Sequence, residues 1–184
     1  MADYYQVTKV ISKVLQIICM IGAIGLLVAG IIYLTYNEPS DLFKDESRMM
    51  NICGMAVSVY GLPDGDAVKV LGGVMIVGAG MLGLLTMVFR NINLIVLTAK
   101  GEIWFSKGAT PFQEDTVRMV REIGIFLIFL YIAEIVASAV AFAINQDVET
   151  STSMIPLFIG IIVICLSKMF EYGQKLQEEQ DGLI

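Results

Sequence analysis

The stretch that decides the fold is Ile123–Ile144, IGIFLIFLYIAEIVASAVAFAI, in which Glu134 is the one charged side chain. A helix needs about 20 mainly apolar residues to cross the hydrocarbon core of a bilayer. Comparable apolar blocks lie at 14–36, 68–99 and 155–172. The bilayer core offers no water to unpaired backbone groups, so such blocks must be helical. The sequence therefore predicts an all-α integral membrane protein, a four-helix bundle that forms a single domain over residues 1–184.

Composition excludes several classes of protein. The 184 residues are 57% hydrophobic and 16% charged, against roughly 45–50% apolar and about 25% charged for soluble domains. This balance excludes a soluble enzyme, a disordered chain and a coiled coil. Eighteen acidic against twelve basic residues give a net charge of −6, which argues against direct nucleic-acid binding. The chain has no histidine and no C-x-x-C motif, so we expect no metal, no cofactor and no catalytic residues.

Lysine and arginine positions predict the orientation of the spans. Nine of the twelve basic residues fall on one side of the predicted membrane: Lys9, Lys13, Arg90, Lys100, Lys107, Arg118, Arg121, Lys168 and Lys175. Basic residues concentrate in cytoplasmic segments. We therefore expect both termini in the cytoplasm, a long first extracytoplasmic loop at 37–67 and an inner loop at 100–122.

The loops carry local signals. The apolar stretch Ile52–Leu62 is too short to span, and we expect a short helix or a strand pair lying on the outer face. The short loop 145–153 predicts that the third and fourth helices are antiparallel neighbours. Lys100-Gly101 is typical of a helix C-terminus. The pattern Thr110-Pro111-Phe112-Gln113 resembles a capping box and predicts that the third helix begins near Pro111.

Small residues predict where helices pack. Membrane helices associate through close contacts between small side chains, because apolarity gives them no reason to prefer each other over lipid. The predicted packing positions are Gly25, Ala29, Ala79, Gly83, Ala133, Ala137 and Ala141. They serve either packing within the chain or a homo-oligomer interface.

Three polar residues belong to predicted spans: Glu134, Ser138 and Arg90. A charged group at the centre of a bilayer costs at least ~2.5 kcal/mol, so it usually faces protein or water. Glu134 is either a proton, cation or ligand site, or a buried acid hydrogen-bonded to another helix. Arg90 lies nearer the inner interface, and we expect it to extend its side chain toward the cytoplasm.

Two motifs carry a family resemblance. The first is Gly108-Ala-Thr-Pro111-Phe112, followed by Val117-Arg118 and Arg121-Glu-Ile-Gly124; the second is FEYGQKLQEEQD at 170–181. Together they resemble the YoaS-like family of uncharacterised four-span bacterial membrane proteins. The resemblance implies a multi-pass protein of the bacterial cytoplasmic membrane. Such proteins are often encoded beside a Cro-like helix-turn-helix regulator, which implies a regulatory role and that regulator as a partner.

Both motifs fall on the predicted cytoplasmic face. The residues concerned are Pro111, Phe112, Arg118, Arg121, Tyr172, Gly173, Leu176, Gln177, Glu178, Glu179 and Asp181. We expect the segment 110–124 to pack against the end of the fourth helix. An apolar stripe of Phe112, Thr116, Val120 and Ile123 would meet Tyr172 and Leu176, with Gly173 allowing close approach. Arg118 and Arg121 would meet Glu171, Glu178 or Glu179.

Three functions remain after sequence analysis. The first is a non-enzymatic regulatory or interaction protein, held in the lipid bilayer, whose cytoplasmic face binds a protein partner. The second is a small oligomeric transporter or channel that uses Glu134. The third, an enzyme acting on lipid, needs a cluster of polar side chains at headgroup depth, and the sequence offers none.

Overall fold

Four long helices dominate the structure. This computed structural model describes residues 2–36, 49–60, 62–104 and 112–182. The helices are α1 (Ala2–Tyr36), α2 (Asp64–Ala99), α3 (Glu114–Ile144) and α4 (Ile155–Asp181). The strands are β1 (Met49–Ile52), β2 (Met55–Ser58) and β3 (Glu149–Ser151). All four helices are long and apolar enough to cross a membrane, which confirms the predicted number of membrane-spanning helices.

The helix ends follow from local sequence. At the end of α2, Gly101 adopts a φ of 70°, and the N–H groups of Gly101 and Glu102 donate to the carbonyls of Thr98 and Leu97. This is the glycine-terminated motif predicted at Lys100-Gly101. α3 begins at Glu114 rather than near Pro111. The Gln113 carbonyl accepts the Val117 N–H at 3.0 Å, so Gln113 takes the capping position; Pro111 itself lies outside the described residues.

The chain divides into two compact units; α1, α2 and α3 contribute to both, and α4 belongs to one of them. The hairpin unit comprises Cys19–Leu84 and Phe129–Met154. The groove unit comprises Met1–Ile18, Leu85–Ile128 and Ile155–Ile184.

A small antiparallel sheet forms the core of the hairpin unit. The strand order is β1-β2-β3, and Ile52 pairs with Met55 across a tight turn. Both turn residues, Cys53 and Gly54, have positive φ angles, of 53° and 100°, as a type I′ hairpin turn requires. Alternate residues of β2, Met55 and Val57, are fully buried. They pack in one cluster with apolar residues of α2 and α3, namely Val70, Leu71, Val74, Ala137 and Ala141.

The hairpin runs alongside the helices. A Cβ placed on Gly78 would lie 2.7 Å from the Ile52 side chain and 3.4 Å from that of Leu26. Gly78 is fourteen residues into α2, roughly 21 Å from its start at about 1.5 Å per residue. A strand pair, one of the two forms predicted for this loop, is present; that it lies on the extracytoplasmic face of the membrane stays a prediction.

Helix contacts in the hairpin unit use other glycines than those predicted. A Cβ on Gly30 would lie 3.0 Å from the carbonyl oxygen of Gly72, which places α1 directly against α2. By contrast, no described atom lies within 4 Å of a Cβ on Gly25 or Gly83, so the close approach predicted there is not found. The remaining predicted positions divide by burial: Ala79, Ala137 and Ala141 are buried, whereas Ala29 and Ala133 are half-buried.

In the groove unit, α3 and α4 touch backbone to backbone. A Cβ on Gly124 would lie 2.8 Å from the carbonyl oxygen of Gly160, and a Cβ on Gly160 would lie 2.8 Å from that of Gly124. Phe112, just before α3, contacts Phe170 in the second half of α4. Gly124, further along α3, contacts Gly160 near the start of α4. The two helices are therefore antiparallel neighbours, as predicted.

Candidate functional site: a charged groove between α3 and α4

An open groove of about 420 Å³ lies between the start of α3 and the end of α4. Its charged walls come from Asp115, Arg118 and Arg121 on α3 and from Glu171, Lys175 and Glu178 on α4. The backbone contact at Gly124 and Gly160 sets the spacing of the two helices. Of the eleven residues predicted for the cytoplasmic face, three line the groove: Arg118, Arg121 and Glu178.

An apolar contact joins the two helices beside the groove. The rings of Phe112 and Phe170 lie 5.8 Å apart between centroids, tilted by 43°. A Cβ on Gly173 would lie only 2.8 Å from two carbons of the Phe112 ring. The predicted approach of Phe112 to Gly173 is therefore present, and a side chain at position 173 would force the Phe112 ring to shift. We call this the Phe112–Gly173 contact.

The apolar residue of α4 that contacts Phe112 is not one of the two that were predicted to do so. Tyr172 and Leu176 are 65% and 44% exposed, so they do not meet α3. Phe170 takes their place, one turn of helix before Gly173. On α3 the expectation holds better, since Thr116 and Ile123 are 0% and 8% exposed. Apolar residues occupy two faces of α4, and in a membrane protein one of them faces lipid.

Glu171 is the centre of the charge network. It lies 3.0 Å from Lys168 Nζ, 3.4 Å from Arg121 Nη2 and 3.6 Å from Lys175 Nζ. Arg118 stays on its own helix, 3.3 Å from Asp115 and 3.7 Å from Glu122. One of the two predicted arginines therefore bridges to α4. Lys168 was not among the predicted site residues, although its place three residues before Glu171 would have indicated it.

The far end of α4 is acidic. Glu178 and Glu179 are exposed, and Asp181 is the last residue of the helix. Gln174 Nε2 donates to Glu178 Oε1 at 2.8 Å, while Gln177 is half-buried. The last turn holds no basic residue, so the negative end of the helix dipole adds to the negative side chains.

A second polar contact in the groove unit was not predicted from the sequence. Asn91 is 6% exposed, and its Nδ2 donates to Glu122 Oε2 at 2.9 Å. This bond connects α2 to α3. Arg90, the neighbouring residue, is exposed. An amide inside a long apolar helix is the signal that would have pointed to this bond, because a buried amide needs a partner.

The hairpin unit contains the buried carboxyl group. Glu134 is 0% exposed, and its Oε2 accepts the backbone N–H of Ser153 at 2.9 Å. Among the described residues, neither Glu134 Oε1 nor Ser138 Oγ, one helical turn away, has a hydrogen-bond partner. A Cβ on Gly54 would lie 3.6 Å from the Cβ of Ser153. Glu134 therefore fixes the segment that precedes α4 beside the hairpin turn.

The thiol at that turn, Cys53, is half-buried. Burial raises the pKa of Cys53, with Cys19 and Glu134 adding to the effect. A thiol whose pKa is raised is a poor nucleophile and a poor metal ligand at neutral pH. Within the described part of the chain, no three histidine, cysteine or acidic side chains converge on a possible metal position.

The comparisons with known proteins add no relative: no family model, no curated protein and no solved structure matches the chain. The resemblance to the YoaS-like family therefore remains an expectation from the two motifs.

Proposed function

We propose that this chain is a small non-enzymatic protein of the bacterial cytoplasmic membrane that binds a cytoplasmic protein partner through the groove between α3 and α4. The observation that carries the proposal is the groove itself, built on the Phe112–Gly173 contact and the backbone contact of Gly124 with Gly160. Contacts of this kind give a docking surface a fixed shape. Both termini and the groove would then face the cytoplasm, in keeping with the distribution of lysine and arginine.

Charge indicates the kind of partner. The three basic residues of the groove walls each lie within 4 Å of a carboxylate. Glu114 lines the groove too, and Glu178 and Glu179 extend the negative charge beyond it. A basic segment of a partner complements this surface, and complementary charge mainly sets specificity and association rate. DNA-binding regulators of the helix-turn-helix class carry such segments, so a neighbouring regulator is the first partner to test.

Photo-crosslinking in living cells tests the proposal. A photoreactive residue replaces Gln174 in the groove, and a control chain carries it at Tyr60, which is 71% exposed in the hairpin unit. We expect a crosslinked product with a cytoplasmic protein from position 174 alone. The double change of Glu178 and Glu179 to lysine should abolish it. Identical products from both positions, or a product unaffected by the double change, would refute docking at the groove.

A specific observation favours a second function. Glu134 Oε1 and Ser138 Oγ are buried, one turn apart, with no hydrogen-bond partner among the described residues. Buried polar atoms of this kind often hold a water molecule or an ion. A transporter that moves protons or cations would use them. Reconstituted vesicles should then show a flux that Glu134→Gln abolishes and Ser138→Ala lowers; vesicles without flux would eliminate this function.

A further inference from the structure

Positive charge gathers around Glu171 in a chain that is negative overall. Three cations lie within 4 Å of its carboxylate, namely Arg121, Lys168 and Lys175. One negative charge cannot neutralise three positive ones, so this cluster keeps a net charge near +2. The cations also remain available, because their side chains are 45%, 68% and 66% exposed. We call these three residues the basic cluster.

The basic cluster adjoins an apolar surface. Alongside it α4 exposes Leu166, Met169, Tyr172 and Leu176, with exposed fractions between 43% and 71%. Lysine side chains reach from apolar surroundings to the aqueous interface, and tyrosine favours the same interface. Lys168, Tyr172 and Lys175 fall at helical spacing, so two cations flank an amphipathic ring on one face. This arrangement suits a molecule with an anionic head and an apolar tail.

The acidic end of α4 opposes only part of the basic cluster. Glu178 is ten residues beyond Lys168 and three residues beyond Lys175, roughly 15 Å and 4.5 Å along the axis at about 1.5 Å per residue. Exposed charges are screened over about 8 Å at physiological ionic strength. Lys168 therefore lies outside the range over which Glu178 acts, whereas Lys175 lies within it, and Lys168 is the cation of α4 that is least opposed by the acidic end.

We propose that Arg121, Lys168 and Lys175 bind the phosphate headgroup of an anionic phospholipid whose acyl chain lies along the exposed apolar face of α4. Arginine offers a planar pair of donors to phosphate, and lysine adds compact positive charge. Free phosphate would meet the same cations but leave the apolar face uncovered. The occupant is therefore a lipid. Arg121, Glu171 and Lys175 also line the groove of the proposed function, so a bound lipid and a docked protein would share these residues, and Lys168 is the member of the basic cluster outside the groove lining.

The expected change in lipid affinity follows from the number of basic residues that are removed. Each basic residue near an anionic bilayer surface contributes roughly a fivefold gain in affinity. Removing Lys168 and Lys175 together should weaken binding roughly 25-fold. Glu171→Gln should act in the opposite direction, because it removes the one negative charge that opposes the phosphate. A purely structural role for Glu171 would instead make that variant bind less lipid.

Native mass spectrometry of the full chain, released from nanodiscs of mixed phosphatidylglycerol and phosphatidylcholine, tests the proposal. We expect retained phosphatidylglycerol on the wild-type protein, its loss in Lys168→Gln/Lys175→Gln and increased retention in Glu171→Gln. The matched control is Lys69→Gln, since Lys69 pairs with a single carboxylate, Asp66, at 3.8 Å; it should retain lipid as the wild type does.

Three results would overturn the proposal. Equal retention of the two lipids would show no headgroup preference. Unchanged retention in the double lysine variant would place the lipid elsewhere. Displacement of the lipid by millimolar inorganic phosphate would show that the basic cluster recognises phosphate alone and that the apolar face of α4 takes no part.

Discussion

Replacing Phe112 by alanine should release the end of α4 from α3. The Phe112 side chain is 40% exposed, so about three-fifths of a phenylalanine burial, itself worth roughly 1.5–3 kcal/mol, is lost. Loss of the contact with the Phe170 ring adds about 0.5–1.5 kcal/mol. We therefore expect the local opening of this contact to become easier by roughly 2 kcal/mol, which is about 30-fold in its equilibrium constant.

Arg118→Ala provides the matched comparison. Arg118 is on the same helix and makes two ion pairs, but its side chain is 66% exposed. Exposed ion pairs contribute about 0–1 kcal/mol. Its removal should therefore change local opening by less than about fivefold.

Hydrogen exchange followed by mass spectrometry measures this difference. The peptides to follow cover 112–119 and 170–178, with a peptide of the β1–β2 hairpin as internal reference. Phe112→Ala should accelerate exchange in the first two peptides roughly 30-fold and leave the reference unchanged. Equal acceleration by Arg118→Ala, or none by Phe112→Ala, would refute the view that apolar packing holds the two segments together.

Three further predictions concern other contacts. In a chain without its native cysteines, the pair Phe112→Cys and Gly173→Cys should form a disulfide under mild oxidation, as shown by a mobility shift that dithiothreitol reverses; failure to oxidise would place the segments apart. Glu134→Ala removes the acceptor of a buried N–H and leaves a cavity, so it should lower the free energy of unfolding in detergent by about 2–4 kcal/mol. Glu134→Gln keeps an acceptor and should lower it by about half as much or less. Equal losses in the two variants would contradict the hydrogen bond from Ser153 to Glu134. Hydrogen bonds from Lys9 and then Lys100 lower the pKa of Glu102 below its usual 4.5. The contact of Glu102 with these lysines therefore stabilises the fold above pH 4.5, and this stabilisation is lost as the pH falls through the lowered pKa. Carbon NMR should show the titration midpoint of Glu102 move back toward 4.5 in Lys9→Ala, and an unchanged midpoint would count against the ion pair.

The four long helices and the end of α2 were the predictable part of this fold. Apolar length alone requires α1 to α4, because a bilayer admits little else. Gly101 terminates α2 because only a residue that tolerates positive φ completes the motif found there. The Phe112–Gly173 contact was predictable as well, since a short connection at 145–153 makes α3 and α4 neighbours.

Helix rotation was not predictable in the same way. α1 and α2 are apolar on all sides, so no polar face shows which glycines turn inward. Gly30 and Gly72 make the close contact, and Gly25 and Gly83 do not. For the same reason, Tyr172 was predicted on the face of α4 that packs against α3, whereas its side chain is 65% exposed. The contact of the β1–β2 hairpin with α2 was not predicted either, because a short apolar run indicates a strand without showing what it packs against.

The central claim is that the groove faces the cytoplasm, where a protein partner can reach it. Labelling of single cysteines with a membrane-impermeant thiol reagent tests this most directly, in spheroplasts of a strain whose chain lacks the native cysteines. Gln174→Cys reports on the groove, and Tyr60→Cys reports on the loop predicted to be extracytoplasmic. We predict that Tyr60→Cys reacts in intact spheroplasts and that Gln174→Cys reacts only after permeabilisation. Labelling of Gln174→Cys in intact spheroplasts would contradict the account.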